Sequence, residues 1–183
     1  MGTRQSELCQ LASKYGTDKL GVYTAIYELI LKHRNISRIL EVGIGTPEAM
    51  SHVKGYKPGA SLRMWRDYGA EVVGIDVSLK AVLDAADDGI RTIQWDSTQE
   101  LPIDLGKFDL IIDDGSHKPE DQLATFNNLF KHLSSGGLYI IEDVDEWTVK
   151  NNLLSPYLPE HTLFFHYSDK GIGRAIVIQC TTN

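Results

Sequence analysis

The sequence predicts an α/β fold: a mostly parallel sheet with helices on both faces, closed by a C-terminal antiparallel hairpin. Three observations predict it. Five continuous apolar runs alternate with helical segments, which suits strands buried on both faces. Three of the runs finish in acids, in Ile39-Leu-Glu-Val-Gly-Ile-Gly45, Ile111-Ile-Asp-Asp-Gly-Ser-His117 and Leu138-Tyr-Ile-Ile-Glu-Asp-Val144, which places carboxylates along one sheet edge. Two later strands are separated by Ser168-Asp-Lys-Gly-Ile-Gly173 alone, a connection that permits a hairpin but not a crossover.

In chain order, Glu7 to Lys14 reads as a helix that breaks near Gly16. Val22, Tyr23, Ile26, Tyr27, Leu29 and Ile30 recur at helical spacing, so a second helix runs from Gly21 to His33. The five buried strands are Arg38 to Val42, Glu71 to Ile75, Arg91 to Trp95, Phe108 to Ile112 and Leu138 to Ile141. Ser61 to Tyr68, Leu79 to Ala86 and Glu120 to Leu133 are the crossover helices, the last stopped by a glycine cap in Ser134-Ser-Gly-Gly137. His161 to Tyr167 and Arg174 to Cys180 form the hairpin. The expected organisation is one domain, with residues 1–34 a helical cap and 35–183 the sheet core.

Length and charge bound the function. At 183 residues, 42% apolar and 23% charged, the chain suits a globular domain with a proper core. A formal charge of −7 without a basic run argues against sequence-independent nucleic-acid binding. No stretch approaches a bilayer span, and no apolar leader opens the chain. Cys9 and Cys180 have neither metal-ligand nor disulfide-framework spacing and read as thiols of a reducing compartment, so a cytoplasmic location is expected.

The chemistry concentrates at the acidic strand ends. Gly43-Ile-Gly45 lacks the third glycine of the dinucleotide fingerprint, because Glu48 stands there. A pyrophosphate ligand is disfavoured, while a phosphate-free nucleoside or a plain strand-to-helix turn both fit. Asp76 closes the next strand, where an acid accepts ribose hydroxyls. Asp96, in Trp95-Asp-Ser97, could contact a base or sit in a surface turn. Asp113 and Asp114 are adjacent like charges that need a cation or several donors. His117, three residues on across a turn, can share their site and accept a proton; the alternative is a helix cap beside a solvated histidine. Glu142 and Asp143 end the neighbouring strand, about 4.8 Å away, so both tips can meet at one hard cation, Mg²⁺ above all. A helix-start role is the alternative, and Asp145 and Glu146 read that way.

The order of Leu11-Ala-Ser-Lys-Tyr-Gly-Thr-Asp-Lys19, Tyr23-Thr-Ala-Ile-Tyr27, Leu40-Glu-Val-Gly-Ile-Gly45, Ser61-Leu-Arg-Met-Trp65, Gly74-Ile-Asp76, Ile112-Asp-Asp-Gly-Ser-His117, Phe126-Asn-Asn-Leu-Phe130 and Gly136-Gly-Leu-Tyr-Ile-Ile-Glu-Asp143 resembles the catalytic domain of metal-dependent macrolide and deoxysugar O-methyltransferases. These are class I enzymes of Rossmann-like fold. The resemblance implies seven strands, S-adenosylmethionine as methyl donor, Mg²⁺ and a sugar or glycoside acceptor. It implies Asp114 and Asp143 as metal-binding acids and His117 as general base, with Glu142 or Glu41 as a further ligand. The Tyr15-Gly-Thr17 turn would cover the cofactor, and Ser61 and Trp65 would border it beside Glu41, Gly43, Gly45, Asp76, Asp96 and Asp113. Leu20-Gly-Val-Tyr-Thr24 lacks the histidine the family usually carries before its Tyr-Thr pair, so acceptor contacts there need not follow the family. A homo-oligomer is compatible with this reading. The rival readings are a catechol-like diol O-methyltransferase, a non-catalytic cofactor-binding subunit and a nicotinamide-dependent dehydrogenase, the last weakened by the missing glycine.

Overall fold

A computed structural model describes residues 5–87, 89–144, 162–166 and 174–180. Helices α1 (Glu7–Tyr15) and α2 (Val22–Leu31) precede the sheet. Strand β1 (Arg38–Val42) is followed by α3 (Ala60–Asp67), β2 (Glu71–Asp76), α4 (Leu79–Ala85) and β3 (Ile90–Gln94). Then come β4 (Phe108–Asp113), α5 (Pro119–Leu129), a 3₁₀ turn (Phe130–His132), β5 (Leu133–Ile141), β6 (Thr162–His166) and β7 (Arg174–Gln179). Ser6 caps α1 by accepting the Cys9 N–H, and Gly16 ends it in the left-handed conformation at φ +66°.

The sheet order is β3-β2-β1-β4-β5-β7-β6. The first five strands pair in parallel, while β7 runs antiparallel to both β5 and β6. Strand order reverses between β1 and β4, and in such sheets the crevice above the strand C-termini at that point is where ligands bind. The core has two layers. Ile39, Val72, Leu110, Ile112 and Ile140 face α1, α2 and α3 through Leu8, Tyr27 and Trp65. Leu40, Val73, Phe108, Ile111 and Tyr139 face α5 through Phe126 and Leu129. This alternation is why the strands read as unbroken apolar runs.

One element differs from expectation. The predicted long helix ends at Leu129, and 134–137 belongs to β5 instead of forming a glycine cap. Gly136 N–H donates to the Cys180 carbonyl and Cys180 N–H to the Gly137 carbonyl, each at 3.0 Å. Pairing with the end of β7 captures the glycines, and the β4–β5 register shift between Phe108 and Leu110 absorbs the irregularity. The helical start expected at Asp145 and Glu146, the placement of Trp147 and the 168–173 connection lie outside the described residues. Among the described residues no helix is long and apolar enough to cross a membrane.

Candidate functional site

The C-terminal ends of β1, β2, β3 and β4 open into a cavity of about 1150 Å³. Val42 to Thr46, Asp76 to Ser78 and Trp95 to Thr98 line one part. Asp18, Leu20, Val22, Tyr23, Asp113 to His117 and Asp143 line another. Met50, His52 and Tyr56 cover it from the β1–α3 connection.

The glycine turn is built by close backbone approach. Gly43 lies at φ +95°, and a Cβ there would fall 1.9 Å from the Asp114 carbonyl oxygen. Its N–H donates to the Ile75 carbonyl at 2.9 Å, and the Ile44 and Gly45 N–H groups both donate to Asp76 Oδ2, at 2.8 and 3.1 Å. The turn therefore offers no free N–H nest for a phosphate, in keeping with the missing third glycine. Asp76 Oδ1 also accepts the Ser78 N–H at 2.7 Å. Three of the roughly four carboxylate acceptor positions are thus taken, and Asp76 lines the cavity.

Asp114, His117 and Asp143 converge. One donor atom from each lies within 4.8 Å of the others. His117 Nε2 is 3.1 Å from Asp114 Oδ1 and 3.8 Å from Asp143 Oδ2. Among the described residues, the non-glycine residues with positive φ are His117 at +60° and Asp143 at +48°. Left-handed backbone of this kind costs on the order of 1 kcal/mol or more and persists where surroundings over-determine it. The two carboxylates suit a hard divalent cation, and the imidazole stands beside them.

A buried lysine stands behind this cluster. Lys19 is 1% exposed. Its Nζ donates to Glu142 Oε2 at 2.5 Å and Asp114 Oδ2 at 2.6 Å, and lies 3.6 Å from Glu41 Oε1. Burial disfavours its charge, but the three carboxylates outweigh burial and raise its pKa well above the ordinary value. Burial pushes Asp114 up, yet Lys19 and the His117 hydrogen bond bring its carboxyl below the ordinary value. The bond to Asp114 raises the His117 imidazole. Burial lifts Glu142 well above its usual range, and lifts Glu41 and Asp113 to about 7 each. Glu41 Oε2 and Asp113 Oδ2 are buried without hydrogen-bond partners.

The structure brings some predicted residues together and moves others away. Gly43, Gly45, Ser61, Asp76, Asp96, Asp113, Asp114, His117 and Asp143 all line the cavity. Asp96 holds a turn by accepting from the Thr98 N–H and hydroxyl. Ser61 donates to Glu41 Oε1 at 2.6 Å, so Glu41 sits beneath the wall, fully buried, and does not line the cavity. Glu142, expected as a metal ligand, stands outside the three-donor group because Lys19 and the Tyr27 hydroxyl take its carboxylate. Tyr15, expected over the cofactor, instead points to the end of α3, where its hydroxyl bonds to Asp67. Thr17 is buried in the α1–α2 turn, accepting the Lys19 N–H at 3.3 Å, and does not reach the cavity. Trp65, which the resemblance set beside the cofactor and its residue type set in or beside the core, is wholly buried in the core and packs edge-on against Tyr27 at 4.9 Å. The apolar face of α3 binds it to the core.

Sequence reasoning did not single out Lys19, Tyr23 and Tyr27. Tyr23 donates to Asp143 Oδ1 at 2.5 Å and accepts the Asp143 N–H at 2.9 Å. The signal was present: Tyr23 and Tyr27 are spaced four apart on one face of α2, and Lys19 stands four residues before Tyr23 in the preceding turn. The two tyrosines counted as apolar members of the amphipathic pattern, which hid their hydroxyls.

The family described as "Methyltransferase domain" matches residues 40–144. The chain is 37% identical over 163 residues to a mycinamicin VI 2''-O-methyltransferase of Micromonospora griseorubida, covering 80% of this chain and 38% of that one. It is 36% identical over 158 residues to a demethylmacrocin O-methyltransferase of Streptomyces fradiae, covering 78% and 37%. The chain thus spans less than two fifths of these relatives. Among solved structures it resembles the MycE methyltransferase from the mycinamycin biosynthetic pathway in complex with Mg, SAH and mycinamycin VI. The TM-score is 0.70 and the identity 27%, over 98% of this chain and 56% of that one.

Proposed function

The chain belongs to the methyltransferase-domain family, and from that premise we propose that it transfers a methyl group from S-adenosylmethionine to a hydroxyl of a sugar or glycosylated small molecule, assisted by Mg²⁺. The observation that carries the reading is the meeting of Asp114, His117 and Asp143 in one cavity with the glycine turn and Asp76. Relatives named as O-methyltransferases of a rhamnosyl tetracenomycin and of L-olivosyl-oleandolide support the substrate class.

The residues fit both groups. Asp114 and Asp143 would hold the cation, the cavity side of which His117 borders. The part lined by Gly43, Gly45, Asp76, Trp95 and Asp96 suits a phosphate-free nucleoside, since the turn has no amide nest to offer an anion. When bound, the cation supplies positive charge that lowers the pKa of an acceptor hydroxyl, and the donor supplies an electrophilic methyl on a sulfonium. The chain's own part is positional and acid–base. His117 Nε2 would take the proton of the acceptor hydroxyl, whose oxygen would gain the methyl group as the donor's C–S bond breaks and its sulfur leaves as a neutral thioether. Asp114 Oδ1 lies 3.1 Å from that same nitrogen in the metal-free site, and would leave Nε2 free for the acceptor's proton once it turned to the cation. Asp113, which burial lifts to about 7, lines the cavity and would supply negative charge there when ionised. Leu20, Val22 and Met50 give the acceptor an apolar wall that excludes water. Holding donor carbon and acceptor oxygen about 3–3.5 Å apart in line supplies much of the rate.

The test is methyl transfer from labelled S-adenosylmethionine to a panel of glycosides and catechols, with and without EDTA followed by Mg²⁺. Transfer to glycosides that EDTA stops and Mg²⁺ restores is expected. Transfer insensitive to EDTA removes the cation from the reading, and transfer to catechols alone replaces the acceptor class.

A further inference from the structure

Lys19 and Tyr23, four residues apart, each take one oxygen of one candidate metal-binding carboxylate. Lys19 Nζ engages Asp114 Oδ2 at 2.6 Å, leaving Oδ1 beside His117 Nε2 at 3.1 Å. The Tyr23 hydroxyl engages Asp143 Oδ1 at 2.5 Å, leaving Oδ2 facing the same nitrogen at 3.8 Å. Each carboxylate therefore turns one oxygen to protein and the other into a shared gap. Tyr23 does more than donate: its oxygen accepts the Asp143 N–H at 2.9 Å. That second bond grips the backbone of a residue held at φ +48°, so side chain and main chain of Asp143 are fixed by one hydroxyl.

We propose that Tyr23 is a positioning residue that aims Asp143 at the divalent cation, with Lys19 aiming Asp114 in the same way. The proposal rests on the metal reading above. A carboxylate free to rotate offers the cation either oxygen in many orientations and must be ordered on binding. One already pinned through its outer oxygen loses less freedom, and partners of this kind typically carry about 10- to 100-fold in metal affinity. Tyr27 provides a control on the same helix. Its hydroxyl bonds to Glu142, which is outside the three-donor group.

The experiment titrates the full chain with Mn²⁺, followed by electron paramagnetic resonance, for wild type, Tyr23→Phe and Tyr27→Phe. Circular dichroism and Tm report folding. Tyr23→Phe is expected to weaken Mn²⁺ about 10- to 100-fold, with S-adenosylhomocysteine affinity unchanged and turnover restored by raised Mg²⁺. Tyr27→Phe is expected to stay within about 3-fold of wild type, since it touches no donor. Wild-type Mn²⁺ affinity in Tyr23→Phe overturns the proposal, as does an equal loss in Tyr27→Phe. Tyr23→Leu, lacking ring and hydroxyl, is the second variant; if neither Tyr23 variant folds, the residue is structural and the proposal falls. A wild-type chain that binds no Mn²⁺ overturns the metal reading itself, and shows this before any variant is made.

Discussion

Replacing Glu41 with glutamine should make the protein more stable at high pH and leave it little changed at low pH. Glu41 is fully buried at the end of β1, bonded by Ser61 and 3.6 Å from Lys19. Burial pushes its carboxyl from 4.5 to about 7, against the pull of Lys19 and Ser61. The sign follows from proton linkage. Below 4.5 the group is protonated in both folded and unfolded chains and contributes nothing. Between 4.5 and about 7 the unfolded chain releases its proton while the folded chain keeps it, so stability falls as pH rises. Above about 7 both are ionised and the full penalty applies. At about 1.4 kcal/mol per pH unit, the gap between 4.5 and about 7 comes to about 3 kcal/mol. Glutamine keeps an oxygen for Ser61 and never ionises. The assay is urea unfolding of metal-free wild type and Glu41→Gln at pH 5 and pH 8. The variant should gain about 2–3 kcal/mol over wild type between those two conditions. A constant difference at both pH values, or a variant that is less stable at pH 8, would refute the claim that Glu41 is held protonated by burial.

Three other substitutions test the site. His117→Ala should lower turnover about 10²- to 10⁴-fold while calorimetry shows S-adenosylhomocysteine affinity nearly intact; wild-type turnover would take His117 out of the mechanism. Gly43→Ala puts a methyl group against the Asp114 carbonyl at φ +95° and should cost at least about 2 kcal/mol in urea unfolding. Wild-type stability there would contradict the close β1–β4 approach. Tyr15→Phe should leave S-adenosylhomocysteine affinity unchanged, because its hydroxyl serves Asp67; a tenfold loss would return Tyr15 to the cofactor site.

Much of the sheet was legible because its physics is local. Arg38 to Val42 and its neighbours are short apolar runs bounded by turn residues, and such runs have few alternatives. Glu120 to Leu133 was over-extended because its glycines resemble a helix cap, while the deciding factor was pairing with Cys180, more than forty residues away. The same limit governs the site. Asp114 and His117 are three apart and could be read together. Tyr15 could not be placed, because only the packing of α1 on α3 decides which way its ring turns.

The tips of β4 and β5 each offered two candidates beside Glu41 of β1, and sheet register explains which of them meet. Glu41 lies opposite Ile112, and Ile112 opposite Ile140. Two residues further along, strand alternation puts Asp114 and Glu142 on the same face as Glu41, towards α2. Three carboxylates from three adjacent strands thus crowd one side, and Lys19 from the α1–α2 turn is the cation that makes their burial tolerable. Alternation alone would send Asp143 to the opposite face, with α5. Its left-handed backbone breaks the alternation and returns it to Tyr23 and His117. The donor group therefore depends on a backbone conformation at Asp143 that no strand pattern encodes, and on a helix preceding the sheet that holds it there.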